Sequence, residues 1–180
     1  MKKIPTLYVR NPLDRRHVIP GDVTPGCEWV LDGQGTPTRK YDGTCMRKRQ
    51  GQWSARREVK PGKAIPEGFE EAHFDRVTGK RFGWVPIEQS PFVAYWREAV
   101  ATGGDLPEGT YELCGPNING NPERFPALAL MLHEGAMHLG PDDADPLELI
   151  EICRKEGYEG IVWHHQDREM MAKLKVRDMP

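Results

Sequence analysis

Long apolar runs are missing from this 180-residue chain: none approaches the roughly 18 consecutive residues that a membrane-spanning helix requires, so membrane insertion is not expected. The amino-terminal MKKIPTLYVRNP carries basic residues without the apolar stretch of a secretory leader, and the expectation is a cytoplasmic protein. Cysteine is also sparse. Cys27, Cys45, Cys114 and Cys153 contain no C-x-x-C pair, which argues against a disulfide framework and leaves no zinc pattern legible; reduced thiols are expected. Net charge is nearly absent, with 25 Lys and Arg against 27 Asp and Glu, so general stickiness toward polyanions is not expected. What is there suits one globular domain spanning 1–180, with residues 1–27 as an extension packing on it and a monomer as the default state.

The near-neutral total hides an asymmetry. From Thr38 to Lys63 nine Lys and Arg face only Asp42 and Glu58, whereas from Glu134 to Glu159 eight acidic residues face only Arg154 and Lys155. Such a basic block is either a polyanion-binding face or a solvated strand edge guarded by charge, and composition leaves both open.

Proline (16) and glycine (19) punctuate the chain, so its elements must be short. Two helices are predicted. One has Ser90 as cap and Pro91 in the first position, with Phe92, Tyr95, Trp96, Ala99 and Val100 on one face. The other runs from Asp145-Pro146 through Leu149, Ile150 and Cys153 and closes at Gly157. Strands are predicted over 28–31, 43–50, 83–87, 110–114, 127–132, 160–164 and 170–176, with turns at Asp32-Gly33-Gln34-Gly35 and Asn119-Gly120-Asn121-Pro122. This is an α+β protein with mainly antiparallel sheets.

Four strand-like segments carry charge where their neighbours face a core. An extended Lys40-Tyr41-Asp42-Gly43 places Lys40 and Asp42 on one face, and Gly43 permits close approach. Glu112 alternates with Tyr111 and Leu113, Glu159 leads into Gly160-Ile161-Val162-Trp163, and Lys173 and Lys175 share the face opposite Ala172, Leu174 and Val176. Glu112 lies 72 residues after Lys40, Glu159 lies 47 after Glu112, and Lys173 lies 14 after Glu159.

That order resembles motifs I, III, IV and V of the covalent nucleotidyltransferases. RKYDGTC, WSARREVKPGK, GWVPIE, YELCGP with NINGNPE after it, LHEGA and EGIVWHH are similar to the small ATP-dependent 5′-3′ RNA ligases, over roughly residues 28–176. The resemblance implies a ligase adenylation (nucleotidyltransferase) fold of two mainly antiparallel sheets with flanking helices. It implies Lys40 as the adenylated lysine with Asp42 beside it, and Arg56 near the ribose or 3′ end. Lys173 and Lys175 would lie at the α-phosphate. Nucleotide contacts are further expected from Arg39, Gly43, Glu112 and Glu159, with Leu132 or His133 packing on adenine. Asp42, Glu112 and Glu159 are the expected metal carboxylates, for Mg²⁺ or Mn²⁺. Arg47, Lys48, Arg49, Arg57, Lys60 and Lys63 are expected to hold the RNA backbone without reading bases. Five residues follow Lys175, so a minimal form without a C-terminal OB domain is expected.

The chemistry can be argued from the residue types. At pH 7 about one lysine in 2,500 is a free amine, so a nucleophilic lysine needs cations and desolvation around it. The expected enzyme adenylates Lys40 with ATP, passes AMP to an RNA 5′-phosphate, and joins that end to a 3′-hydroxyl, an RNA-repair activity. The alternatives are a capping-like or other nucleotidyltransferase, a polynucleotide ligase tolerant of DNA, and a non-catalytic RNA-binding module. His133, His138, His164 and His165 match no common metal spacing and read as ordinary polar or core histidines. Gly33 and Gly35 read as a hairpin turn, and Trp84, Trp96 and Trp163 as core.

Overall fold

The structure, a computed structural model, describes residues 3–167 and 170–180. The chain divides into two compact units. One comprises Ile4–Tyr41 and Ala136–Pro180 and is termed the lysine unit; the other comprises Lys3 and Asp42–Gly135 and is termed the large-sheet unit.

The lysine unit begins with an antiparallel pair, β1 (Tyr8–Arg10) and β2 (Val18–Val23). Its principal sheet contains β3 (Gly35–Lys40). In the large-sheet unit six strands follow the order β6-β7-β5-β4-β8-β9: β4 (Thr44–Arg49), β5 (Gln52–Val59), β6 (Glu70–Asp75), β7 (Lys80–Pro86), β8 (Gly109–Cys114) and β9 (Ala129–Leu132), all antiparallel. Helix α1 (Val93–Thr102) interrupts them in sequence. The chain then supplies α2 (Pro146–Glu156), β10 (Gly160–His165) and β11 (Met171–Lys175), which complete the three-stranded antiparallel sheet β11-β10-β3.

Period-two alternation gives each sheet a core face and a polar face. In the large-sheet unit Met46, Ala55, Val85, Tyr111 and Leu113 are buried on one side, with Ala99 of α1 and partly buried Trp96 and Val93 packed there. The opposite side presents Cys45, Arg47, Arg56, Thr110 and Glu112. In the lysine unit Ile161, Trp163, Ala172 and Leu174 join Leu149, Ile150 and Cys153 of α2 in the core. Pro5, Thr6 and Leu7 are stitched to β11, where Leu7 N–H donates to the Lys173 carbonyl and Lys173 N–H to that of Pro5. The segment preceding residue 28 therefore shares this core through Leu7, Tyr8 and Val18.

The second helix starts and ends as its sequence dictates. Asp145 caps it by accepting the Leu147 N–H, Pro146 opens it, and Gly157 closes it at φ +73°. The first helix starts later than expected. The Ser90 side chain accepts the Phe92 N–H in a turn, and Phe92, which makes no side-chain cap, precedes the first helical residue, Val93. Residues 28–30, expected as strand, form a 3-10 helix instead. Trp29 donates its indole N–H to the Gly26 carbonyl and the Glu28 carboxylate accepts the Gly26 N–H, so this short apolar stretch is folded locally while Trp29 and Val30 are buried. Gly33 accordingly belongs to the turn between that helix and β3, where Gly35 is already a strand residue, and not to a hairpin. Apolar alternation does not mark β1, β2, β3, β5 or β6: β5 and β6 are polar, and β3 carries Pro37.

Among the described residues no helix is long and apolar enough to cross a membrane.

Candidate active site

In the lysine unit the register of three strands gathers the charged residues. Gly160 pairs with Lys40 on one side and Lys175 on the other, and Val162 pairs with Thr38 and Lys173. Lys40 and Lys175 thus share a rung, with Lys173 on the same face two rungs on. Glu159, immediately before Gly160, receives both amines: Lys40 Nζ donates to its Oε2 at 2.5 Å and Lys175 Nζ donates to its Oε1. Glu159 is nearly covered, its side chain 6% exposed. Gly160 is required by crowding, since a Cβ there would lie 2.1 Å from the Leu174 carbonyl oxygen.

Burial pushes the Glu159 carboxyl upward, but the charge of Lys40 and the hydrogen bonds from Lys175 and Lys40 outweigh it and hold the pKa below the usual value. Lys173 is pushed down to about 8 by burial and by the positive charges of Lys175 and Lys40, against weaker support from Glu159 and Asp178. Arg39 points to the other side of β3, where its guanidinium stacks on the rings of Tyr158 at 3.7 Å and Tyr41 at 4.6 Å. Nothing in the sequence marks either tyrosine for this contact.

In the large-sheet unit a second cluster surrounds Glu112. Its Oε1 accepts the Gly43 N–H at 3.2 Å, and its Oε2 lies 3.2 Å from Nε2 of His133. The other ring nitrogen of His133 lies 2.9 Å from Thr110 Oγ1. Gly43 cannot be replaced without movement, because a Cβ would meet the Leu113 carbonyl oxygen at 2.2 Å and Cys114 Sγ at 2.8 Å.

The Asn-rich loop holds the start of this segment. Asn119 Nδ2 donates to the Gly43 carbonyl at 2.7 Å and approaches Asp42 Oδ1 at 3.3 Å, while Glu123 accepts the Asp42 N–H at 2.8 Å. Asn117, Asn119 and Asn121 all have positive φ, which asparagine tolerates better than most residues and which accounts for the loop's composition. The individual roles of Asn119 and Glu123 are not legible from residue type; the NINGNPE string is their visible trace.

The three expected metal carboxylates are not equivalent. Asp42 and Glu112 are in the large-sheet unit; Glu159 is in the lysine unit with both oxygens occupied by ammonium groups. Asp42 and Glu112 offer carboxylate oxygens, the donor type that Mg²⁺ takes, whereas Glu159 is engaged by Lys40 and Lys175. β3 ends at Lys40 and β4 begins at Thr44, so Tyr41, Asp42 and Gly43 form the link between the two strands.

The expected RNA-binding cations do not form one array. Arg47 makes a two-pronged ion pair with Glu70 and stacks over Trp84 at 4.7 Å, and Arg49 reaches the same Glu70 at 3.5 Å. Arg47 holds the Glu70 carboxyl below its usual pKa. Lys48 donates to the Leu106 carbonyl from the core side of β4. Arg56, Arg57, Lys60 and Lys63, with Glu58, line an open groove of about 660 Å³. Leu132 belongs to the α1-facing core and His133 to the Glu112 face, so the two candidates for packing on adenine lie on opposite sides of the sheet. Trp84 and Trp163 are buried and Trp96 is partly buried, as expected of core residues.

The buried Glu159 carboxylate joins Lys40 and Lys175, and Lys173 lies on the same face, so three amines are gathered where they can meet a phosphate group. No family model matches the chain. It is 28% identical over 149 residues to RNA ligase 1 of Pongo abelii, covering 64% of this chain and 43% of that protein. It is 26% identical over 156 residues to RNA ligase 1 of Danio rerio, covering 68% and 45%. The chain thus spans less than half the length of these curated relatives. A solved Naegleria gruberi RNA ligase, a lysine-to-alanine variant with ATP and Mn, aligns over 82% of this chain and 52% of that one, at 12% identity and a TM-score of 0.40. The similarity to RNA ligases read from the motifs is therefore also found by whole-sequence comparison.

Proposed function

We propose that the chain is the adenylating part of an ATP-dependent RNA ligase, with Lys40 as its nucleophile. The observation that carries this reading is the Lys40–Glu159–Lys175 cluster with Lys173 on the same face two residue pairs along, its members in the sequence order of the nucleotidyltransferase motifs.

Lys40 Nζ attacks the α-phosphorus of ATP, the bond to the bridging oxygen breaks, and pyrophosphate leaves with that electron pair. Glu159 Oε2, 2.5 Å from Lys40 Nζ, can accept the proton that the amine sheds as its bond to phosphorus forms. A 5′-phosphate oxygen of RNA then displaces Lys40 from the adenylate, and a 3′-hydroxyl oxygen finally attacks the 5′-phosphorus and expels AMP. In each displacement charge grows on phosphoryl oxygens, so Lys173 and Lys175 act chiefly as electrostatic stabilisers. Asp42 and Glu112 would hold the divalent metal, which when bound neutralises phosphate charge. Arg56, Arg57, Lys60 and Lys63 would engage the RNA backbone in their groove, through contacts that weaken with salt.

The test is incubation with ATP labelled at the α-phosphate and Mg²⁺ or Mn²⁺, followed by a denaturing gel. A protein-bound label, absent in Lys40→Ala and discharged by 5′-phosphorylated RNA with formation of a joined product, supports the reading. A label transferred from GTP instead, or one that RNA never discharges, refutes the ligase assignment.

A further inference from the structure

The polar face of the large sheet carries one thiol directly opposite a carboxylate. Cys45 of β4 is the cross-strand partner of Glu112 of β8, and His133 follows β9 beside them. One donor atom from each of the three lies within 4.8 Å of the other two. These types form no pattern in sequence, being separated by 67 and 21 residues; strand pairing sets Cys45 against Glu112, and the chain leaving β9 brings His133 beside them.

We propose that Cys45, Glu112 and His133 form a binding site for a thiophilic divalent cation, Zn²⁺ in particular, with water completing a fourth position. Ligand–metal distances of about 2.0–2.3 Å put tetrahedral donors roughly 3.3–3.8 Å apart, so donors already within 4.8 Å of one another have to close by no more than roughly 1.5 Å. The set is mixed, one sulfur, one nitrogen and one oxygen, which favours zinc over the hard, oxygen-seeking Mg²⁺.

The surroundings supply the supporting contacts that such ligands require. Thr110 Oγ1 fixes one ring nitrogen of His133 at 2.9 Å, directing the other toward Glu112. With the cation bound, Nδ1–H donates to Thr110 and Nε2 turns its lone pair to the metal, replacing the present contact to Glu112 Oε2. Gly43 N–H meanwhile holds Glu112 Oε1. All three side chains are partly exposed, which leaves the ion a path of entry. Binding displaces the thiol proton of Cys45, so it consumes no oxidant or reductant.

The experiment titrates the chelator-stripped full chain with Zn²⁺ against a chromogenic competitor, and in parallel with Co²⁺, whose visible spectrum reports coordination by sulfur. Metal binding, not ligation, is read, so the result is independent of the proposed function. One equivalent of Zn²⁺ should bind, more tightly than the Mg²⁺ with which it would share Glu112, and Co²⁺ should give a sulfur-to-metal charge-transfer band. Cys45→Ser should abolish that band and weaken Zn²⁺ by at least ~10-fold, the scale of loss known for metal-site contacts. His133→Gln should weaken Zn²⁺ while retaining the band, and circular dichroism should show both variants folded. The proposal is overturned if the wild-type chain binds Zn²⁺ no more tightly than Cys45→Ser, or if the charge-transfer band survives that substitution.

Discussion

The lysines of the lysine unit are placed by strand register, whereas in the large-sheet unit Asp42 is placed by a loop and the strand-borne Glu112 is steadied by the Gly43 N–H. Lys40, Lys173 and Lys175 come from strands whose hydrogen-bond ladders fix them on one face, and Glu159 draws two of the amines together. Asp42 and Gly43 lie between strands and are tied through Asn119 and Glu123, more than seventy residues away. A cluster of like charges needs a rigid frame because repulsion would otherwise disperse it. A carboxylate satisfied by N–H groups can sit on a more adaptable support.

The sharpest test of this contrast is Lys40→Arg. Arginine keeps the positive charge beside Glu159 but cannot act as the nucleophilic amine. Protein labelling by ATP should fall by at least ~10³-fold while the melting temperature changes little. Labelling that survives in the arginine variant would mean that Lys40 supplies charge alone.

Glu159→Gln attacks the frame itself. It leaves Lys40 and Lys175 beside Lys173 with no shared counter-ion, and removing one member of a buried ionic group costs about 3–5 kcal/mol. Urea denaturation should show that loss near pH 7. Because the folded pKa of Glu159 is depressed, its contribution is present above the unfolded carboxylate value and is lost as pH falls toward and through the folded one. The stability of the wild type and the variant should therefore converge in acid.

Lys173→Met should act in the opposite sense. The folded pKa of Lys173 is about 8 against an ordinary 10.5, so the unfolded chain retains that proton between these values and stability rises with pH across the window. The variant should be more stable than the wild type at pH 7, by at most about 3 kcal/mol from the size of the shift, and its pH–stability curve should be flatter between pH 8 and 10.5. The same substitution should slow adenylation if Lys173 serves the phosphate.

Asn119→Ala should have the smallest effect, about 1 kcal/mol for a hydrogen bond to a backbone carbonyl. The loss should appear as faster amide exchange around Asp42 and Gly43, with the lysine unit unaffected. Equal acceleration in β10 and β11 would erase the distinction between the two modes of support.

Several elements could be read directly from residues. Asp145-Pro146 and Gly157 delimit α2 because a cap, a proline and a left-handed glycine act within a few residues of one another. The alternation of Ala172, Lys173, Leu174 and Lys175 identifies β11 and its two faces for the same local reason. Polar strands such as β5 and β6 escape notice because their pairing is decided by neighbours distant in sequence. The 3-10 helix at 28–30 escapes because Trp29 and Val30 are buried without a ladder. Among the site residues, Glu112, Lys173 and Lys175 stand out as charges set among apolar neighbours and Glu159 as a charge leading into an apolar run, while Lys40 is marked by the KYDG string; Asn119, Glu123, Tyr158 and Cys45 carry no such local mark.

The sequence by itself determined the chemical inventory: which amines and carboxylates are present, their order, and the face of the strand on which most of them lie. Those properties depend on residue type and on a backbone period that is local. Only the tertiary structure decided that Glu159 belongs to two lysines, that Asp42 is clasped by the Asn-rich loop, and that a thiol, a carboxylate and an imidazole share one side of a sheet. Such partnerships depend on strand order and register, which arise when distant segments bury their apolar faces together.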